Sequence, residues 1–243
     1  MKDFFSYEPS NNIFRLYSIP HIIMLIVFAV MLALLYVSKD KIRKSKYEKV
    51  IRISFASIVL SLEIMLYFWY ILNGQTDLAL ILPFEVCGFA LYFGVFMMYF
   101  KNYKLFRLGY YWSFGANIAI LFPPILYSFD RFRFYQYLFN HMFIFIMYLY
   151  MYFVHKFKPT LKAYIQSILF MILVAPIMYI LNIIMDANFF VLSSSEGAPF
   201  EWLRNMDGPL FTLVVVTVGI SLFSIGNIHY LFTRKKRDLS HQE

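Results

Sequence analysis

Residues 131–150 read RFRFYQYLFNHMFIFIMYLY. The run is long enough to cross a bilayer as an α-helix, yet it places His141 well inside the apolar segment. A titratable ring at that depth is costly in lipid, so it is expected to face the protein interior or a wet cavity and to have a polar partner there. The stretch therefore predicts a membrane helix and raises the question of which group His141 meets.

The composition of the whole chain extends this prediction to the fold. Of 243 residues, 61% are hydrophobic and only 15% are charged, which does not fit a water-exposed surface. The sequence therefore predicts an all-α, polytopic membrane protein with a single domain over residues 1–243. Seven apolar stretches have the length of a membrane span: 20–37, 51–72, 80–100, 105–127, 134–154, 162–185 and 209–232.

The basic residues predict the orientation of these seven transmembrane helices. All but five of the 22 Lys and Arg residues lie on one side, in its connections and tail or in the first turn of the span that follows, leaving Lys2, Arg15, Arg131, Arg133 and Arg204 for the other. Cytoplasmic loops carry the excess of Lys and Arg, so the N-terminus is expected outside and the C-terminus in the cytoplasm. The net charge of +8 then reflects multi-pass insertion in the cell membrane and does not predict a nucleic-acid partner.

Prolines are concentrated on the predicted outer side. Pro123 and Pro124 are expected to end or bend the fourth span, and Pro176 is expected to kink the sixth, because proline lacks an amide donor. The outer halves of the helices can then separate around a cavity. The long connection 186–208 has the length of a lid over that cavity.

Cys87 is the candidate partner of His141. It lies about seven residues, or roughly 10 Å, inside the third span, and His141 lies at a similar depth in the fifth. A thiol beside an imidazole forms a nucleophile with its base, and acyl transfer also needs a donor for the oxyanion. Asn117 or Asn182 could supply that donor or orient the ring, and their spacing does not choose between them.

Other polar residues lie at the same predicted level and are candidates for substrate binding or support. They are Glu85, Asn117, Gln136, Asn140 and Asn182. Simpler interpretations remain open for the whole set. Cys87 could be a packing residue, His141 could bond Glu85 or Asn117 across helices, and the asparagines could join helices.

No metal site or cofactor is predicted. A single cysteine excludes an internal disulfide and any multi-cysteine metal site, and one deep histidine does not complete a zinc shell. Glu63, near the middle of the second span, has no obvious partner in the sequence and is only a weak functional candidate.

Three stretches carry a family resemblance: 82–87 (LPFEVC), 132–141 (FRFYQYLFNH), and the region from Asn182 to Pro209 that includes 188–190 (NFF). On these stretches the chain resembles the YwaF family of bacterial integral membrane proteins, which is related to the eukaryotic transmembrane protein 164 acyltransferases. The resemblance implies a seven-helix fold in which Cys87 and His141 move acyl chains between phospholipids. Glu85 departs from the family pattern, and a carboxylate two residues from the nucleophile would oppose formation of the thiolate.

The sequence thus supports two hypotheses of different classes. The first is a Cys/His lipid acyltransferase in which membrane phospholipids are the acyl donor and acceptor. The second is a non-catalytic membrane protein that binds or carries a lipid or small ligand in the same pocket. The sequence leaves the oligomeric state open.

Overall fold

The computed structural model describes residues 3–192, 206, 211, 213–214, 217–221 and 224. Within these residues the chain is all-helical and contains no β-strand, which confirms the all-α part of the predicted fold class. The helices are α1 (Ile19–Lys44), α2 (Glu48–Leu72), α3 (Leu78–Ile81), α4 (Val86–Phe100), α5 (Tyr103–Trp112), α6 (Phe114–Leu121), α7 (Phe132–Phe153) and α8 (Leu161–Met185), with short 3-10 turns at Asp3–Phe5 and Phe189–Val191.

The helix α7, which carries His141, is the centre of the bundle. It packs against α1, α2, α4 and α6, while α8 packs on α5. Arg43 of α1 donates from Nε to the Val154 carbonyl at 2.8 Å and from Nη2 to the Phe153 carbonyl. Carbonyls at a helix end have no intrahelical partner, so this basic side chain stabilises the point where α7 stops. The helix predicted over 134–154 is confirmed.

Three of the described helices, α1, α2 and α8, are long and apolar enough to cross a membrane. The 15-residue α4 is apolar but shorter than the ~20 residues of a full span. The 22-residue α7 has the length, but its tyrosines and polar side chains make it less hydrophobic than those three. Most of the predicted span 209–232 lies outside the described residues, although those described from 211 to 224 are helical.

The predicted span 80–100 is not one helix, and this corrects the prediction. It consists of α3, a non-helical segment at 82–85, and α4. Pro83 has no amide donor and disfavours helical geometry at Leu82, which is extended (φ −69°, ψ 134°). A Cβ on Gly88 would collide with the Pro83 carbonyl, so glycine allows the segment to fold back against α4. Cys87 therefore lies in the first turn of a helix.

The predicted span 105–127 is also divided. It forms α5 and α6 with an interruption at Ser113, and α6 ends at Leu121. The helix thus stops just before Pro123 and Pro124, as predicted. In contrast, α8 continues through Pro176 without interruption, so the kink predicted there stays a prediction.

Structured segments cover one end of the bundle. The N-terminal residues reach this end, where the Trp69 indole donates to the Phe5 carbonyl and the Tyr127 hydroxyl donates to the Tyr7 carbonyl, each at 2.8 Å. Residues 122–131 lie beside them, since the Phe14 amide donates to the Leu126 carbonyl at 3.1 Å. The opposite end carries the short basic turns between helices.

Candidate functional site

A cavity of about 590 Å³ opens among α2, α4, α6, α7 and α8. Most of its wall is aliphatic or aromatic, and the segment 190–192 contributes Phe190 and Leu192. Apart from three tyrosines, the polar or ionisable side chains that line it are Glu63, Glu85, Cys87, Arg133, Asn140 and His141. Four of these were predicted as site residues, so the fold brings Cys87, His141, Glu85 and Asn140 to one cavity.

The cavity wall formed by α7 shows why its polar residues converge. Arg133, Tyr137, Asn140, His141 and Ile144 all line the cavity. Their spacing of four, three, one and three residues places them on one face of a helix. The same spacing is visible in the sequence and could have identified Arg133 as a site residue. In the sequence analysis, Arg133 appears only as one of the basic residues on the outer side.

The imidazole of His141 is held by its own helix. Its Nδ1 lies 2.8 Å from the Tyr137 carbonyl oxygen, and its ring centroid lies 4.2 Å from that of Tyr137. A carbonyl only accepts hydrogen bonds, so Nδ1 carries the proton in the neutral ring and Nε2 keeps its lone pair. Among the hydrogen bonds of the described residues, none joins His141 to Glu85 or Asn117, the interhelical partners considered from the sequence. The contact found instead leaves Nε2 as a proton acceptor.

The thiol of Cys87 lies in the first turn of α4, one residue after the helix begins. The first amides of a helix have no intrahelical partner, and the helix dipole favours negative charge at this end. Among the described residues, no hydrogen bond joins the Cys87 sulfur to His141. The two side chains share the cavity, and their pairing as nucleophile and base stays a prediction.

The carboxylate of Glu85 anchors the segment that follows α8. Its Oε2 accepts a hydrogen bond from the Phe190 amide at 3.1 Å. Phe190 has a left-handed backbone (φ 60°, ψ 11°), which is unfavourable for a residue with a large side chain. Glu85 therefore helps to hold Phe190 against the cavity. Residues 193–205, 207 and 208 of the predicted lid lie outside the described residues.

The structure assigns partners to Glu63, which had none in the sequence analysis. Glu63 is buried, and it accepts from the Tyr67 hydroxyl at 2.8 Å and from Asn140 Nδ2 at 2.7 Å. The Tyr67 hydroxyl also lies 2.9 Å from that of Tyr92. The sequence feature that could have predicted this network is an ionisable residue, Glu63, in an apolar helix with a tyrosine, Tyr67, four residues later.

Asn117 and Asn182 are not among the residues that line the cavity, which argues against either as the oxyanion donor. The Asn117 amide donates within its own helix to the Phe114 carbonyl at 3.4 Å. The Asn182 side chain donates to the Phe189 carbonyl at 3.0 Å and accepts from the Phe189 amide at 2.7 Å. Asn182 therefore supports the segment over the cavity from outside.

Gln136 is likewise buried beside the cavity and supports one of its lining residues. Its Oε1 accepts a hydrogen bond from Arg133 Nη1. The guanidinium of Arg133 also lies 5.2 Å from the centre of the Tyr137 ring. Arg133 is thus held in place by neutral groups, and among the described residues it forms no salt bridge with a carboxylate.

Comparison with known proteins places this arrangement in a family. The TMEM164 family profile matches residues 16–226, which include every predicted site residue. A search of the curated proteins and a search of the solved structures each gave no match. The match confirms the predicted relation to transmembrane protein 164 and does not bear on the bacterial YwaF name. Because the profile covers most of the sequence, the chain belongs to the TMEM164 family.

Proposed function

We propose that this protein is a membrane acyltransferase that exchanges acyl chains between phospholipids, with Cys87 as nucleophile and His141 as base. The observation that carries the proposal is that both side chains line one largely apolar cavity, in which the Tyr137 carbonyl leaves Nε2 of His141 free to accept a proton. An apolar wall suits an acyl chain. A single thiol with a base in the same cavity suits a thioester intermediate.

In the first half-reaction the Cys87 sulfur attacks the ester carbonyl of a phospholipid, and His141 Nε2 takes the thiol proton. The carbon–sulfur bond forms, the ester carbon–oxygen bond breaks, and the proton passes to the departing alkoxide. The products are an acyl-enzyme and a lysophospholipid. In the second half-reaction the hydroxyl of another lysophospholipid attacks the thioester, His141 takes its proton, and the thiol is restored.

The oxyanion of each tetrahedral intermediate needs hydrogen-bond donors. Since Asn117 and Asn182 lie away from the cavity, we assign this role to the first amides of α4, beside Cys87. These amides belong to the backbone, so no residue type in the sequence identifies them.

Arg133 is the candidate group for the phosphate of the substrate. Its guanidinium can bind a phosphate through two hydrogen bonds, and among the described residues it forms no salt bridge with a carboxylate. Arg133 lies in the first turn of α7, and His141 lies eight residues, or about 12 Å, further along the helix. The ester groups of a phospholipid lie on the tail side of its phosphate, so this order matches the order of the two protein groups.

The proposed membrane arrangement has seven spans, an external N-terminus and a cytoplasmic C-terminus. The broken spans α3–α4 and α5–α6 then cross as pairs of shorter helices, and non-helical backbone at that depth is tolerated where it lines a cavity. The cavity would open toward the outer leaflet.

A second candidate is a non-catalytic lipid carrier. The observation that favours it is that, within the described part of the chain, the Cys87 thiol makes no hydrogen bond with His141. A carrier needs the cavity and Arg133 but has no need of a thiolate.

The experiment that tests the proposal is acyl exchange in liposomes that contain purified protein, a phosphatidylcholine with deuterated chains and a lysophospholipid acceptor. We expect deuterated acyl chains to appear on the acceptor and the mass of a thioester-linked acyl chain to appear on the protein. Cys87→Ala should abolish both. His141→Gln should reduce the exchange rate by about 10²–10⁴-fold, the usual contribution of a general base.

The matched control is Asn117→Ala, which removes a polar side chain from a neighbouring helix but not from the cavity. It should leave exchange within a factor of two. Exchange that persists in Cys87→Ala would overturn the mechanism. Lipid that co-purifies equally with wild type and Cys87→Ala, without any exchange, would favour the carrier.

A further inference from the structure

A second pocket, of about 500 Å³, lies at the opposite end of the same helices. It is formed where α2 begins and where α4 and α7 end. Along α2, the distance from Glu63 in the first cavity to Glu48 in the second pocket is 15 residues, or roughly 22 Å. The two sites are therefore separate.

Basic side chains at three helix connections, α1–α2, α4–α5 and α7–α8, converge on this pocket. They are Arg43, Lys46, Lys49, Lys101 and Lys156, and Glu48 and His155 complete the charged and titratable lining. A positive-inside bias requires cations in the loops of one side, but it does not require them to line a common concave surface. Their convergence needs a separate explanation.

Glu48 does not neutralise the lysines, because other donors already occupy it. Its Oε1 accepts from Arg52 Nε at 3.0 Å, from His155 Nε2 at 2.6 Å and from the Tyr150 hydroxyl at 3.1 Å. Within the described residues, none of the four lysines forms a salt bridge. The pocket thus keeps a net positive charge.

Two of the lysines have an unfavourable backbone conformation. Lys101 (φ 50°) and Lys156 (φ 58°) are both left-handed and lie just after the ends of α4 and α7. Glycine is the preferred residue at such positions because it has no side-chain penalty there. Strained residues that persist are concentrated at functional sites. Here both residues with a strained backbone place a positively charged side chain in the same pocket.

We propose that this basic pocket binds a phosphate-bearing anion. In the membrane arrangement above, helix ends with clustered lysines lie at the level of the lipid head groups, where basic pockets between helices bind acidic phospholipids. A soluble phosphate compound shares the same chemistry, and the experiment below distinguishes the two sources. The proposal does not depend on the acyl-transfer chemistry at Cys87.

The test uses the full chain in phosphatidylcholine nanodiscs, with one arm that adds phosphatidylglycerol to the lipid and another that adds inorganic phosphate to the buffer. Binding is measured by native mass spectrometry and by the melting temperature. The test variant is Lys101→Gly/Lys156→Gly, which should fold at least as well as wild type because glycine suits both backbones. We expect it to weaken phosphatidylglycerol binding by about 30-fold, the effect of two lysine contacts near the head groups.

The matched control is Lys104→Ala/Lys158→Ala, which removes the same charge from the start of α5 and from the α7–α8 connection, at residues that do not line the pocket. It should change binding by less than threefold. Binding of inorganic phosphate in the absence of phosphatidylglycerol, lost in the glycine variant alone, would assign the pocket to a soluble phosphate compound. Equal losses in both double variants, or no binding in either arm, would overturn the proposal.

Discussion

At the scale of single residues, the sharpest predictions concern buried polar side chains. Glu63 accepts hydrogen bonds from Tyr67 and Asn140 while 7% exposed. In Glu63→Leu these two donors lose a buried acceptor, which costs about 1–3 kcal/mol. We expect the melting temperature in detergent to fall by about 2–4 °C per kcal/mol for a chain of this size.

The control for this prediction is Glu63→Gln, which keeps a side-chain carbonyl for one of the two donors. Its melting temperature should lie between those of wild type and Glu63→Leu. An unchanged melting temperature in Glu63→Leu would show that the network contributes nothing to stability.

His155 makes binding at the basic pocket depend on pH. Burial lowers the pKa of His155 below its usual range, Lys101 and Arg52 lower it further, and the adjacent Glu48 opposes them. The ring is therefore neutral at pH 7, and its protonation at lower pH adds a positive charge beside the bound anion. We expect phosphatidylglycerol binding to strengthen as the pH falls from 7 to 5.

The measurement is a titration of binding against pH in nanodiscs, with His155→Gln as the control. The variant keeps a donor for Glu48 but cannot gain a proton, so its binding should vary less with pH. If the two proteins show the same pH profile, His155 does not contribute.

At the scale of an element, the break between α3 and α4 positions Cys87. Gly88 allows Pro83 to approach the first turn of α4, and a Cβ there would collide with the Pro83 carbonyl. Gly88→Ala must displace backbone next to the thiol. We therefore expect it to reduce stability by about 1–3 kcal/mol, as overpacking does, and to slow acyl exchange.

Gly115 in α6 is a matched control, because a Cβ there would meet nothing within 4 Å. Gly115→Ala should leave stability unchanged or raise it by up to about 1 kcal/mol, since alanine is the better helix former. Both variants are compared by melting temperature and by alkylation of Cys87, the single thiol in the chain. Equal behaviour of the two would refute the proposed role of Gly88.

At the scale of the whole molecule, the distribution of charge predicts an external N-terminus. In a Cys87→Ala background, Phe5→Cys should react with a membrane-impermeant maleimide added to intact cells, whereas Lys46→Cys should not. Both wild-type side chains are exposed, so both cysteines should react after detergent is added. Labelling of Lys46→Cys from outside would reverse the orientation and with it the leaflet of each pocket.

The sequence alone determined the helical membrane fold, the helix around His141 and the end of α6 at its prolines. These features follow from local properties: apolar length, charge distribution and the missing amide of proline. The missing amide of Pro83 also predicts a helix break. The apolar run 80–100 that contains it was nevertheless interpreted as one membrane span. The spacing that places the polar residues of α7 on one helix face was also visible in the sequence.

Only the tertiary structure decided which polar groups meet. It placed Asn140 against Glu63, Glu85 against the Phe190 amide, and Asn117 and Asn182 away from the cavity. These contacts join residues as much as 105 positions apart in the chain. Their existence depends on how helices rotate and pack around α7, and neither hydropathy nor spacing within one helix contains that information. The convergence of lysines on the basic pocket has the same origin.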